Sequence, residues 1–480
     1  MIKGVIKASA IFTLGNMLPL LTSVVLLFPY TDNLSTSLYG ELALYIAFTI
    51  FVQFTANYGL DNFVGINHFQ YKDNPVSMKA FVGSVVGTLL IIGAVITIFF
   101  LVSGNFIFQV LFKGQLHFFP FGFLSVLTGV FNAFFRSYIN FLFYRDEPKK
   151  HLLFNLFNFF VTIVICTLGL YKYPETLIGP IWGRFLSGFL IFILALIYFQ
   201  REYGIRLIRS YMSGFHRFCL PVYLFVLLGW VVFYINNFII NYYSTTADVG
   251  VYDFALKVVV LIEVVQIAIS ATINPRIYQM WTDTGLTRST LGENRFHNVF
   301  TMFSILFIAI CIIALPLAVQ VFVRNEEYYA VFQYIPVLCV AFSFRVLTNV
   351  FYNPLMYFKK TGALPRSLGW SSIVQIVTCI ILLPAFGLWG AVWSYFISKI
   401  AIVFFNWWES RKIFQYQFNL YKMLFLPIAY TALVIILHFT IGMKNYYLMA
   451  TIQACAALVL ILLVFRKDLL AYKLIFQKPE

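Results

Sequence analysis

Apolar residues run in blocks of about twenty along the whole chain, separated by short polar stretches. At 1.5 Å per residue such a block crosses roughly 30 Å of hydrocarbon as a helix. The pattern predicts helices at 8–30, 40–59, 80–103, 116–143, 152–170, 178–199, 218–241, 250–274, 298–323, 332–357, 366–384, 388–408, 423–441 and 446–465. That is an all-α polytopic membrane protein of about fourteen transmembrane helices, with both termini on one side. The first block follows Lys3 and Lys7 as a secretory signal would, but it runs on to Tyr30 without a cleavage site and reads as a retained helix.

Composition agrees: 61% of the 480 residues are hydrophobic and 11% charged, against about 25% charged in an ordinary soluble domain. Charge then orients the helices, because cytoplasmic loops are the basic ones. The side holding both termini receives 24 Lys and Arg, four of them in the tail (Arg466, Lys467, Lys473, Lys478). The opposite loops hold four: Lys113, Lys172, Arg324 and Lys444. Both termini are therefore expected in the cytoplasm. The net charge of +15 is spread over many short loops, which argues against nucleic acid. The longest loop, Pro275 to His297, leaves no room for a soluble catalytic domain, and no enzyme is expected. The six cysteines (Cys166, Cys219, Cys311, Cys339, Cys379, Cys455) sit apart in apolar blocks, without metal-ligand spacing. They read as packing residues, and no cofactor is implied.

Short matches recur at nearly one offset. Glu41-Leu42-Ala43-Leu44 answers to Asp253-Phe254-Ala255-Leu256 at 212 residues, Arg136 and Asn140 to Arg345 and Asn349 at 209, and Trp182, Phe185 and Ser187 to Trp393, Phe396 and Ser398 at 211. Six helices separate the copies, an even number, so the halves share one orientation. The expected organisation is a six-helix lobe over 1–200, a basic linker over 201–217, a second six-helix lobe over 218–410, and two further helices with a basic tail over 411–480. Parallel lobes of this kind suit rocking about a central cavity.

Ionisable groups inside a bilayer are expensive and generally face a bundle interior or wet cavity. Five cations remain after the loop census: Arg136, Arg184, Lys257, Arg345 and Lys399. The acids at comparable depth are Glu263, with Asp253 and Glu41 nearer the outer surface, so an anionic substrate group is favoured. Residues four apart share a helix face, which makes one stripe of Asn132, Arg136 and Asn140 and another of Arg345, Asn349 and Asn353; Asn237 lies on a similar stripe of the seventh helix with Tyr234 and Asn241. The alternative for the asparagines is hydrogen bonding between helices. Asp253 and Lys257 are spaced to pair. Glu263 is either a coupling-ion site, for H+ or Na+, with Asp253 a second candidate, or a structural partner of Lys399 or Arg345.

Leu38-Tyr39-Gly40-Glu41, Tyr58-Gly59-Leu60-Asp61, Leu220-Pro221, Val249-Gly250-Val251-Tyr252, Pro275-Arg276-Ile277-Tyr278, Lys360-Thr361 and Gly387-Leu388-Trp389-Gly390-Ala391 together resemble the polysaccharide biosynthesis, or O-antigen flippase, family of the multidrug/oligosaccharidyl-lipid/polysaccharide superfamily. The resemblance spans nearly the whole chain, and departs from it where relatives carry Asp-Arg and this chain has Asn236-Asn237. It implies a bacterial inner-membrane flippase carrying undecaprenyl-diphosphate-linked oligosaccharide units to the outer leaflet by alternating access, for O-antigen, capsule or other surface polysaccharide. Membrane lipid surrounds such a protein, and polysaccharide polymerase and chain-length machinery are its expected associates. The rivals are a cation-coupled multidrug exporter of the same superfamily and, from another class, a membrane polysaccharide polymerase or ligase. The first predicted helix lacks the acid such exporters use, and no large outer loop of the polymerase kind is present.

Overall fold

A computed structural model describes residues 2–284, 291–442 and 444–466, with side chains over 11–283, 292–442 and 444–466. Among these residues fourteen helices are long and apolar enough to cross a membrane. In chain order the α-helices are α1 (Ile2–Asn33), α2 (Thr36–Asn57), α3 (Leu60–Tyr71), α4 (Pro75–Phe112), α5 (Phe123–Tyr144), α6 (Pro148–Lys172), α7 (Ile178–Glu202) and α8 (Phe215–Tyr243). They continue with α9 (Thr246–Thr284), α10 (Leu291–Phe322), α11 (Ile335–Ala341), α12 (Arg345–Tyr357), α13 (Ala363–Phe386), α14 (Leu388–Ser410), α15 (Leu426–Leu437) and α16 (Tyr446–Val464). The second span is α2 with α3, and the tenth is α11 with α12. Three of the four tail cations, Lys467, Lys473 and Lys478, lie outside the described residues.

Several helices outrun their apolar blocks, because hydropathy marks the stretch in hydrocarbon whereas the backbone ladder continues into the headgroup layer. The loop expected from Pro275 is helical as far as Thr284, and Pro275 sits inside α9. Likewise α1 continues past Tyr30 to Asn33 and takes in Asp32, which is exposed at the helix end.

Two interruptions position charged groups. α2 ends at Asn57, Tyr58 and Gly59 adopt φ of 50° and 78°, and the chain re-enters a helix at Leu60. Asn57 holds the break: its Oδ1 accepts from the Gly59 amide at 3.2 Å and its Nδ2 donates to Ser137 Oγ at 2.9 Å. Glycine suits position 59 because a left-handed φ strains other residues and a Cβ there would lie 3.2 Å from the Cys219 carbonyl oxygen. The tenth span instead tightens over Phe342–Phe344 just before Arg345. The Phe342 carbonyl accepts from the Arg345 amide and also from buried Gln266 Nε2 at 3.1 Å, which ties this turn to α9.

The chain forms two compact units, Met1–Gly250 and Val251–Glu480. In the first, Leu60, Phe81, Val82, Phe134, Ile191 and Phe199 are among the residues of a shared apolar core. The opening turns of α2 and α9 meet here. A Cβ on Gly40 would fall 1.8 Å from the Thr246 carbonyl oxygen, and one on Gly250 2.1 Å from that of Thr36. Ser37 and Thr246 share a hydroxyl hydrogen bond of 2.7 Å. Small residues permit such backbone approach, which stands in for the hydrophobic drive that lipid removes. At the α5–α6 turn Arg145 pairs with Glu147 at 2.6 Å and Glu202 at 2.5 Å and donates to Tyr203 at 2.7 Å. Burial pushes the Tyr203 phenol up to about 12, so it stays protonated.

The second unit is centred on Ile277, Trp281, Phe300, Val346 and Phe414. Its C-terminal helices dock through polar contacts: Tyr430 donates to Gln453 at 2.7 Å, Gln453 to the Ala309 carbonyl at 3.0 Å, and Tyr446 to that of Ile312 at 2.7 Å.

The internal repeat is visible in geometry. Trp182 and Phe185 form a T-shaped pair at 5.5 Å, and Trp393 and Phe396 one at 5.6 Å. Ser187 bonds back to the Arg184 carbonyl and Ser398 to that of Tyr395, each three residues upstream. Gly179 and Gly390, 211 residues apart, each press against the backbone of the preceding helix.

Candidate functional site

In the first unit the α2–α3 break delivers Asp61, 2% exposed, to α5. One carboxylate oxygen accepts from Arg136 Nε at 3.1 Å and from Asn140 Nδ2 at 2.7 Å. The Arg136 side chain stays 37% exposed, with its guanidinium carbon 5.3 Å from the Phe54 ring centroid. Asn132, on the same stripe, lies beside Gly188 of α7. Asp61 is the residue that pattern reading left out of the site: it stands in a recognised motif, but only the break at Tyr58-Gly59 carries it inside.

The second unit holds the same arrangement in neutral form. A single oxygen of Asn274 accepts from Asn349 at 2.9 Å and from Asn353 at 3.1 Å. The sequence separations match, 75 and 79 residues in both units. Arg136 therefore corresponds to Asn349, Asn140 to Asn353 and Asn132 to Arg345, at an offset of 213. This corrects the expected equivalence of Arg136 with Arg345 by one helical turn. The misreading has a physical source: Arg and Asn four apart on one face match their own pattern after a one-turn slip. An ion pair in one copy is thus an amide pair in the other.

Arg345 belongs to a different cluster. Glu263, 7% exposed on α9, receives Arg345 Nη1 at 3.0 Å and lies 3.6 Å from Lys399 Nζ. The Lys399 ammonium also lies 4.9 Å from the Tyr395 ring centroid and 5.1 Å from that of Phe342. Both structural partners foreseen for Glu263 are engaged at once, leaving two cations on one acid. Asp253 and Lys257 pair at 2.6 Å.

Arg184 stands apart. Among the described residues no carboxylate lies within 4.0 Å of it. Its guanidinium carbon is 5.8 Å from the Tyr30 ring centroid, its Nε is buried without a hydrogen-bond partner, and it lines a narrow cleft with Tyr45, Thr49, Ser125 and Thr128. Asn237 is fully buried in α8 within the first unit. Among the described residues the five intramembrane cations thus face four acids, Glu41, Asp61, Asp253 and Glu263, of which Glu41 makes no ion pair with any of the five.

These observations define the class: a multi-pass, all-helical membrane protein whose interior carries a positive surplus held in a few polar clusters. The chain belongs to the polysaccharide biosynthesis protein family, which it matches over residues 5–281, more than half its length. No curated protein matches it in sequence. Among solved structures it is similar to the lipid II flippase MurJ in an inward closed conformation, at 14% identity and a TM-score of 0.73, covering 96% of this chain and 99% of that one. It is also similar to an inward-facing multidrug resistance MATE family transporter of the MOP superfamily, at 13% identity and 0.68, covering 84% and 94%. The Vibrio cholerae MATE transporter VcmN gives 10% identity and 0.57, covering 85% and 96%. At such identities the likeness establishes the fold, a transporter fold shared by flippases and drug exporters.

Proposed function

We propose that the protein is a flippase that moves a polyprenyl-diphosphate-linked oligosaccharide from the cytoplasmic to the outer leaflet of a bacterial inner membrane, by alternating access and without covalent chemistry. The observation that carries this reading is that two intramembrane sites each hold a cation beyond the acids paired there. One belongs to Arg184 and the other to the Arg345–Lys399–Glu263 cluster. A diphosphate diester keeps one negative charge on each phosphate, so it neutralises that surplus. A cationic drug adds to it, which favours the lipid-linked glycan over the multidrug alternative.

In this reading Arg345 and Lys399 of the second unit hold the diphosphate, and Arg184 of the first is a separate cationic contact for the head group. Arg136, anchored by Asp61, sets the direction of its polar stripe, and Asn132, Asn140, Asn349, Asn353 and Asn237 supply hydrogen bonds to sugar hydroxyls or between helices. Lys257 stays with Asp253. Glu263 meters the charge of its cluster, and protonating it releases both cations to substrate, which is how a proton would couple. The two compact units, Met1–Gly250 and Val251–Glu480, are the moving bodies. Both termini are cytoplasmic in this reading, and polysaccharide polymerase and chain-length machinery are its partners.

The test is substitution at the two surplus sites in a strain dependent on this protein for surface glycan. Arg184→Gln and Arg345→Gln should insert and fold, yet retain the lipid-linked precursor in the inner leaflet. Normal glycan display by both variants removes these residues from the account.

A further inference from the structure

The α13–α14 hairpin carries, towards its basic end, a concavity that the charged clusters leave unused. Its volume is about 290 Å3, walled by Trp370, Phe404, Phe405 and Trp408, with Ser367 and Glu409 at the polar end. Trp370 stacks on Phe405 with centroids 6.2 Å apart. Trp370 and Trp408 remain 55% and 42% exposed, so in a membrane lipid covers them. Interfacial belts of aromatic residues are common in membrane proteins, but two features here go further.

The first is an orphaned hydroxyl. Ser367 is 1% exposed, lines the concavity, and its Oγ has no hydrogen-bond partner among the described residues. Buried polar atoms are nearly always paired, and here an oxygen acceptor in the concavity would complete the bond. The second is charge. Glu409 accepts from Arg366 at 2.9 Å and from Lys412 at 3.1 Å, and the Arg411 guanidinium carbon sits 3.7 Å from the Trp408 ring centroid. Two cations pair with Glu409, and a third, Arg411, stacks on the neighbouring Trp408.

We propose that this concavity is a binding site for an anionic phospholipid. An acyl chain lies along Trp370, Phe404 and Trp408, a glycerol-ester or phosphate oxygen accepts from Ser367, and the phosphate sits among Arg366, Arg411 and Lys412. Basic pockets between membrane helices at the cytoplasmic end are suited to anionic lipid headgroups. A zwitterionic headgroup brings its own cation to a rim already positive. The site is independent of the translocation reading, since none of its residues belongs to the intramembrane clusters.

Tryptophan quenching by lipids brominated on the acyl chain tests it, with the full-length protein in mixed vesicles. Brominated phosphatidylglycerol should quench more strongly than brominated phosphatidylcholine at equal mole fraction. Trp370→Phe/Trp408→Phe should remove the difference, and Arg366→Gln/Arg411→Gln/Lys412→Gln should abolish the preference at least several-fold. Ser367→Ala, a milder change, should weaken it. Equal quenching by the two lipids in the unaltered protein means a plain aromatic belt and overturns the proposal, without requiring any variant to fold. Preference that survives the triple substitution also overturns it, as does displacement of phosphatidylglycerol by a polyprenyl diphosphate, which would make this a substrate site.

Discussion

Replacing Glu263 by Gln leaves Arg345 and Lys399 with no acid between them. At 3.0 and 3.6 Å, and with an effective dielectric of about 20, each contact represents on the order of 5 kcal/mol of gross attraction. Most of that is offset by desolvation, but removing one partner of a buried pair still destabilises by about 3–5 kcal/mol, since the remaining charge is left uncompensated. Glu263→Gln should therefore lower the unfolding midpoint by roughly 10 °C in detergent, taking the conversion for a large domain. Lys399→Met removes one attraction together with one buried cation and should cost far less. In the double variant one uncompensated charge is gone, so it should be more stable than Glu263→Gln alone, with a coupling energy of about 1–3 kcal/mol. Fluorescence-monitored thermal unfolding of the four proteins reads this directly. A double variant whose loss equals the sum of the single losses would refute the shared-acid cluster.

The corresponding acid of the first unit makes a separate prediction: Asp61→Asn/Arg136→Asn, which recreates the Asn274–Asn349 pair of the second unit, should be tolerated within about 1–2 kcal/mol, while Asp61→Ala leaves Arg136 and Asn140 unpaired and should cost about 3 kcal/mol or more. Equal losses in a denaturation series would contradict the equivalence of Asp61 with Asn274. Gly40→Ala places a Cβ 1.8 Å from the Thr246 carbonyl oxygen, so α2 and the start of α9 must part; a loss of about 1–3 kcal/mol is expected from such overpacking. Unchanged thermal stability of that variant would mean the two turns do not pack as described. Gly59→Ala should be destabilising by about 1 kcal/mol through its left-handed φ, and a larger fall in glycan export than in stability would show that the break it permits positions Asp61 for function.

Fourteen spans were legible because each depends only on a local run of apolar residues, and lipid demands that run regardless of what packs where. Their ends were not, since a helix such as α9 continues through Pro275 once its flanks leave the hydrocarbon. The charges of the site were equally plain in the sequence, because any Arg or Lys within a span stands out. Their partners were not. Asp61 is brought to Arg136 by two residues of left-handed backbone, and Asn274 reaches Asn349 and Asn353 from a helix 75 residues upstream. The 75 and 79 spacings common to both units were present in the chain all along. They become meaningful only when one sees which oxygen accepts which donor.

The central claim is that the protein carries an anionic, lipid-linked glycan across the bilayer. Its most direct test uses purified protein in proteoliposomes containing a polyprenyl-diphosphate oligosaccharide, with the outward-facing fraction scored by a membrane-impermeant glycosidase. The account predicts time-dependent exposure of glycan initially on the inner leaflet, abolished in Arg184→Gln/Arg345→Gln and competed by polyprenyl diphosphate but not by lipophilic cations. Exposure no faster than in protein-free vesicles, or uptake of a lipophilic cation in place of glycan, would contradict it.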